Sequence, residues 1–201
     1  MRQARSGAHW DAEFSAGKYE FLKKPAEQMR LDTIAAMIAG SVAEHGPCEV
    51  VDVGCGEGLL LPRLSPPGVT RYVGLDISAV ALERLPEADV PVVRVRASLA
   101  GWDGTPLPAG RRILVASEVL YYDQAAVGDL ARAAERVSGA GNRTDEAIIS
   151  CVAAHPDKPN WAAASDRLWA ELAATGWPET GRERLVDPAT GIAWDIARYR
   201  V

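Results

Sequence analysis

Apolar and polar positions along this chain follow two alternating periods. From Pro25 to Gly40, Leu31, Ile34 and Ile38 recur at helical spacing. Pro25 suits the first turn of that helix, and Gly40 is placed to end it in the left-handed C′ position. Glu49-Val-Val-Asp-Val53 then reads as a short strand running straight into Gly54-Cys-Gly-Glu-Gly58. A second strand, Arg71–Leu75, ends at Asp76, and Ser78 is positioned to cap a helix carrying Val80, Leu82 and Leu85. Val90–Val95 predicts a third strand, residues 101–110 a loop rich in glycine and proline, and Ile113–Ala116 a fourth strand ending at Ser117-Glu118. Asp123 caps a predicted helix through Val137, stopped by Gly139 and Gly141. Ala147–Val152 is a fifth strand, Trp161–Thr175 a further helix, and Arg182–Arg200 a hairpin about Pro188-Ala-Thr-Gly191.

Strands alternating with helices predict a doubly wound α/β fold, a mostly parallel seven-stranded sheet covered on both faces. The closing hairpin sets the last strand antiparallel. A helical segment, residues 1–45, precedes the sheet-forming residues 46–201, and no repeat, low-complexity tract or linker divides them. Residues 1–201 therefore read as one domain, a size that suits the length.

Charge narrows the partners. Lys and Arg number 22 against 27 Asp and Glu, a net charge of −5. Proteins that bind a phosphate backbone normally carry the opposite excess, so no nucleic-acid partner is expected. No run approaches the ~20 apolar residues of a membrane span, so no membrane partner is expected either. Met1-Arg-Gln-Ala-Arg5 has no apolar stretch behind it, which predicts a cytoplasmic rather than secreted protein. Cys48, Cys55 and Cys151 show no CxxC spacing, and His9, His45 and His155 lie far apart. Neither a disulfide framework nor a metal site is suggested.

In such sheets the ligand sits beyond the carboxyl ends of the strands, where strand order reverses. The glycine loop after the first strand and Asp76 after the second fall there. Glycines let the backbone approach a ligand closely, and an acid at the second strand's end can accept both hydroxyls of a ribose. A nicotinamide fingerprint is GxGxxG; here Gly54, Gly56 and Gly58 give GxGxG, with Leu59 at the last glycine position of that pattern. Asp52, two residues before the first glycine, repels a pyrophosphate and attracts an ammonium or sulfonium. A nicotinamide-dependent oxidoreductase and a cofactor-binding module without catalysis remain as alternatives to an enzyme that uses a cationic cofactor.

Three segments, Val50-Val-Asp-Val-Gly-Cys-Gly-Glu-Gly58, Val73-Gly-Leu-Asp-Ile-Ser78 and Val115-Ala-Ser-Glu-Val-Leu-Tyr-Tyr122, resemble the class I S-adenosylmethionine-dependent methyltransferases. The last of them, with Pro25-Ala-Glu-Gln-Met-Arg30, is similar more narrowly to the nodulation-protein-S (NodS)-like small-molecule methyltransferases. The resemblance implies a Rossmann-like fold, S-adenosyl-L-methionine as cofactor, and methyl transfer to an amine or hydroxyl of a small molecule. It leans toward an amine on a sugar-like acceptor, in a monomer or homodimer.

Carried over by position, it implies that Gly54, Cys55, Gly56 and Gly58 face the methionine moiety and that Asp52 orients its ammonium. Asp76 then holds the ribose and Ile77 flanks the adenine. Ser98, followed by Leu99, stands where relatives place an Asp for the adenine amine, and Ser117 closes the fourth strand beside them. Arg94, Arg96 and Arg112 are further departures. Trp10 and Tyr19 lie in a segment that either lids the cofactor or packs on the sheet edge. Arg30 either reaches the cofactor's carboxylate or pairs with Glu27. For catalysis the candidates are Glu118 at the fourth strand's end, Tyr122 as the cleft-facing member of Tyr121-Tyr122, and His155 as a base after the fifth strand.

Overall fold

Period-2 alternation along the strands divides the apolar residues between two cores. The computed structural model describes residues 6–104, 110–139 and 143–201. Seven strands, β1 (Cys48–Val53), β2 (Val69–Asp76), β3 (Val92–Arg96), β4 (Arg111–Ser117), β5 (Arg143–Ala154), β6 (Glu179–Val186) and β7 (Ala193–Arg200), form one sheet in the order β3-β2-β1-β4-β5-β7-β6. β1 to β5 are mutually parallel, and β7 pairs antiparallel with both β5 and β6.

Val51, Val53, Leu114 and Ile149 face helices α4 (Ala126–Gly139) and α5 (Asn160–Ala174), where Leu130, Leu168 and Leu172 are buried. Val50, Tyr72, Val115 and Ile148 face α2 (Pro25–His45) and α3 (Ala79–Glu83), packing on Leu31, Ile34, Ile38 and Leu82. A further helix, α1 (Gly7–Ser15), lies across α3 near the sheet's carboxyl end. Among the described residues no helix is long and apolar enough to cross a membrane.

The predicted end of α2 at Gly40 is corrected: the helix continues to His45. Gly40 faces open space, so its cost is about 1 kcal/mol of helix propensity. Buried Ser41, donating to Glu146 at 2.6 Å, holds the next turn in place. Gly46, at φ +86°, ends the helix instead. Between β1 and β2 only a single 3₁₀ turn forms, Leu61–Arg63. Few residues separate the glycine loop from β2, and Pro62, Pro66 and Pro67 leave no room for a helix. The predicted stop at Gly141 and the 105–109 part of the predicted loop lie outside the described residues.

Two of the arginine departures serve the scaffold. Arg112 is fully buried and donates to Glu49 at 3.0 Å, at the opposite end of β4 from the cleft. Arg94 donates to the Leu82 carbonyl at 3.1 Å and ties β3 to α3.

Candidate active site

Strand order reverses between β1 and β4, and the carboxyl ends there open into a cleft of about 660 Å³. Its first wall is the glycine loop. Gly54 and Gly56 take positive φ of 65° and 54°, and a Cβ on Gly54 would sit 2.3 Å from a Val119 methyl. No other residue fits there. The loop is pinned to β2 because Gly54 N–H and Cys55 N–H both donate to the Leu75 carbonyl, at 2.7 and 3.1 Å. Asp76 completes the wall: its two carboxylate oxygens accept from Gly56 N–H (2.9 Å) and Ser78 N–H (2.8 Å). Burial pushes its carboxyl above the usual range against those two amides. A carboxylate has about four acceptor positions, so two remain for a ligand.

Behind the loop, Tyr72 O–H donates to Asp52 at 2.7 Å. Burial, reinforced by Asp76, pushes the Asp52 carboxyl up to about 7, while the Tyr72 hydroxyl and Arg30 oppose the rise. Folded Asp52 thus keeps its proton to about pH 7, whereas the unfolded side chain releases it near 3.8. Between those values the folded chain holds the extra proton, so stability falls as pH rises, by ~4 kcal/mol at the limit. Asparagine keeps an acceptor for Tyr72 without the charge. Asp52→Asn is therefore expected to be a few kcal/mol more stable than the parent near about pH 9 and equal to it near about pH 4. Urea unfolding across pH measures this; parallel stabilities throughout would refute the burial of a charge at Asp52.

Arg30, 3% exposed, lines the same floor. It donates to Glu27 at 3.0 Å and to Ser117, while its Nε is buried with no hydrogen-bond partner among the described residues. The pairing with Glu27 is thus present. Glu27 itself lines the cleft, a place its pairing with Arg30 in the sequence did not announce.

Glu118 follows β4 in a left-handed conformation, φ +60°, which few residues other than glycine adopt. Such strain concentrates where function holds a side chain in place. Its carboxylate accepts from Tyr121 O–H (3.1 Å), Val152 N–H (3.2 Å) and Ser150 O–H (3.3 Å). Burial pushes this carboxyl up, with Arg30 opposing and Glu27 reinforcing.

Tyr122 lines the cleft as the sequence suggests, and Tyr121 lines it as well. Tyr122 is 43% exposed at the cleft mouth, whereas Tyr121 reaches inward to Glu118. The positive φ at Glu118 turns the chain, and the 3₁₀ turn Leu120–Tyr122 sends both rings toward the cleft. His155 also lines the cleft, but its Nδ1 accepts from Asp157 N–H at 3.1 Å. That bond occupies Nδ1, so Nδ1 is not the nitrogen that could act as a base.

The N-terminal segment is closed over the loop. Asp11 accepts from Ser78 O–H (2.6 Å) and Val80 N–H (3.2 Å), and Arg84 donates to the Phe14 carbonyl (2.9 Å). Phe14 lies within 3.4 Å of where a Gly56 Cβ would stand, and Gly7 packs against the Ile77 carbonyl. Trp10 and Tyr19 line the cleft with ring centroids 6.1 Å apart, and Trp10 meets Tyr122 edge-on at 5.3 Å. Ser98 accepts from Gly101 N–H at 3.1 Å and caps the turn Leu99–Gly101; both Ser98 and Leu99 line the cleft beside Ile77. Among the described residues no group of three or more His, Cys, Asp and Glu is arranged to hold a metal ion.

No family model matches the chain, and no curated protein matches it. Solved structures do. Magnesium protoporphyrin IX methyltransferase (ChlM) from Synechocystis PCC 6803, with bound SAM, is 14% identical at a TM-score of 0.70, covering 100% of this chain and 99% of that one. The N-methyltransferase NodS from Bradyrhizobium japonicum WM9, in complex with S-adenosyl-L-homocysteine, is 15% identical at a TM-score of 0.64, covering 90% of each chain. The [4+2]-cyclase SpnF is 14% identical at a TM-score of 0.61, covering 88% of this chain and 83% of that one. At these identities the likeness shows the fold, the Rossmann-like fold of S-adenosylmethionine-dependent methyltransferases. A cyclase among the neighbours illustrates that the fold alone names no reaction.

Proposed function

We propose that this protein binds S-adenosyl-L-methionine in the cleft and transfers its methyl group to an amine or hydroxyl of a small molecule by in-line displacement. The observation that carries the reading is a pair of buried carboxylates, Asp52 and Asp76, flanking a glycine loop that is followed by a single 3₁₀ turn and no α-helix before β2. A pyrophosphate needs a helix N-terminus to meet its charge, and here it would face two acids instead. A nicotinamide cofactor therefore fits poorly.

The residues present do fit the cationic cofactor. Asp76 has two acceptor positions left for ribose hydroxyls. Asp52, costly as a buried charge, is relieved by a nearby cation. The orphan Nε of Arg30 matches a carboxylate. Ile77, Ser98 and Leu99 would border the adenine, and Trp10 and Tyr19 would exclude water from the reacting end. The cofactor, when bound, would supply a methyl on a positively charged sulfur that leaves as a neutral thioether while the acceptor's lone pair forms the new bond to carbon. The chain aligns the partners, which is worth ~7–11 kcal/mol at the limit, and Glu118 takes the proton that the acceptor sheds.

Parallel calorimetric titration with S-adenosylmethionine and with NAD tests this. Micromolar binding of the first and no heat from the second are expected; binding of NAD alone would overturn the reading.

A further inference from the structure

Past the glycine loop, the cleft is walled by a continuous run of rings. Trp10 of the lid meets Tyr122 at 5.3 Å, Tyr122 lies 4.7 Å from Tyr121, Tyr121 5.6 Å from Trp161 on α5, and Trp161 6.0 Å from His155. The polar atoms along this wall are mostly spent. Tyr121 O–H and Val152 N–H are taken by Glu118, and His155 Nδ1 by Asp157 N–H. Thr190 O–H is taken by Asp187. Beyond the rings, the Glu118 carboxylate stands at the inner end, and Asp123, Asp157 and Lys158 also line the cleft.

We infer that the acceptor is a flat, largely apolar amine, its body stacked between the lid and Trp161 and its nitrogen directed at Glu118. This rests on the methyltransferase reading and specifies its substrate class. A sugar amine matches the run of rings poorly, because each hydroxyl drawn from water needs a partner and ring faces offer none. An anionic acceptor meets the carboxylate of Glu118 at the inner end of the wall. A cation fits both features. The Lys158 ammonium already lies 4.5 Å from the Trp161 ring centroid, so a face of this wall accepts an ammonium in the free protein. In the transfer the bound ammonium first gives one proton to Glu118; the lone pair so freed forms the bond to the methyl carbon as the carbon–sulfur pair withdraws onto sulfur.

The test is calorimetry on the intact chain, first with S-adenosylhomocysteine, then with tryptamine, glucosamine, 2-naphthol and indole-3-acetate added to that complex. Tryptamine is expected to bind at least about tenfold tighter than each of the other three. Trp161→Leu and Tyr122→Leu should each weaken tryptamine roughly tenfold and leave S-adenosylhomocysteine unchanged. Tyr122 is exposed, so its variant reads the wall even where the Trp161 change perturbs folding. Glucosamine, 2-naphthol or indole-3-acetate binding as well as tryptamine overturns the inference and leaves the methyltransferase reading standing. Failure of S-adenosylhomocysteine itself to bind overturns both.

Discussion

Replacing Asp76 by alanine is expected to weaken S-adenosylmethionine binding by ~10²–10⁴-fold while moving the unfolding midpoint by only a few degrees. Two hydrogen bonds from ribose hydroxyls to an ionised acceptor contribute ~1.5–3 kcal/mol each, and each 1.4 kcal/mol is tenfold in affinity. Stability responds differently because two effects oppose. The substitution orphans the Gly56 and Ser78 amides, which donate to Asp76 at 2.9 and 2.8 Å. It also removes a carboxylate whose raised pKa shows that burial already disfavours its charge. The glycine loop stays pinned by the Leu75 carbonyl, so the lost affinity reflects lost acceptors rather than a collapsed loop. Asp76→Asn, which keeps one acceptor oxygen, should fall between the two. Calorimetry paired with thermal unfolding separates the effects, and full affinity in the alanine variant would refute the role assigned to Asp76.

The parts of this site that could be read from sequence are those that backbone geometry dictates. Glycines at 54, 56 and 58 mark positive φ, and an acid at the end of a strand stays at the sheet's carboxyl edge whatever its neighbours do. Helix limits were less legible, because Gly40 breaks a helix only if tertiary contacts do not hold the next turn, and Ser41 with Glu146 holds it. The single 3₁₀ turn after the glycine loop reflects segment length and three prolines. Side-chain direction after β4 could not be read at all. Alternation assigns Tyr121 and Tyr122 to opposite sides, but the left-handed turn at Glu118 voids the alternation just before them. For His155 the deciding contact is a backbone amide two residues on, which no residue type announces. Glu27 and Arg30 show the same limit: an i,i+3 ion pair reads as surface decoration until burial places it on the cleft floor.

Glu118→Gln should lower turnover by ~10²–10⁴-fold, the usual worth of a positioned base, with cofactor affinity unchanged. The substitution is unusually clean at this site. An amide oxygen can continue to accept from Tyr121 O–H and Val152 N–H, and the amide nitrogen can donate to Ser150 Oγ, whose own proton is free to turn toward Ser117 Oγ 3.0 Å away. Every internal bond is thereby kept, the backbone holds its positive φ, and only the ability to take a proton is lost. The pH profile carries the second half of the prediction. Burial raises the Glu118 carboxyl, so the base becomes protonated, and turnover falls, at a higher pH than an exposed glutamate would give. That acidic limb should vanish in the glutamine variant, while any alkaline limb set by the acceptor's own nitrogen should stay. Turnover is read as the mass gain of one methyl on an acceptor at saturating S-adenosylmethionine. A variant within twofold of the parent, or one that retains the acidic limb, would remove Glu118 from the chemistry and leave it as the brace between β4 and β5.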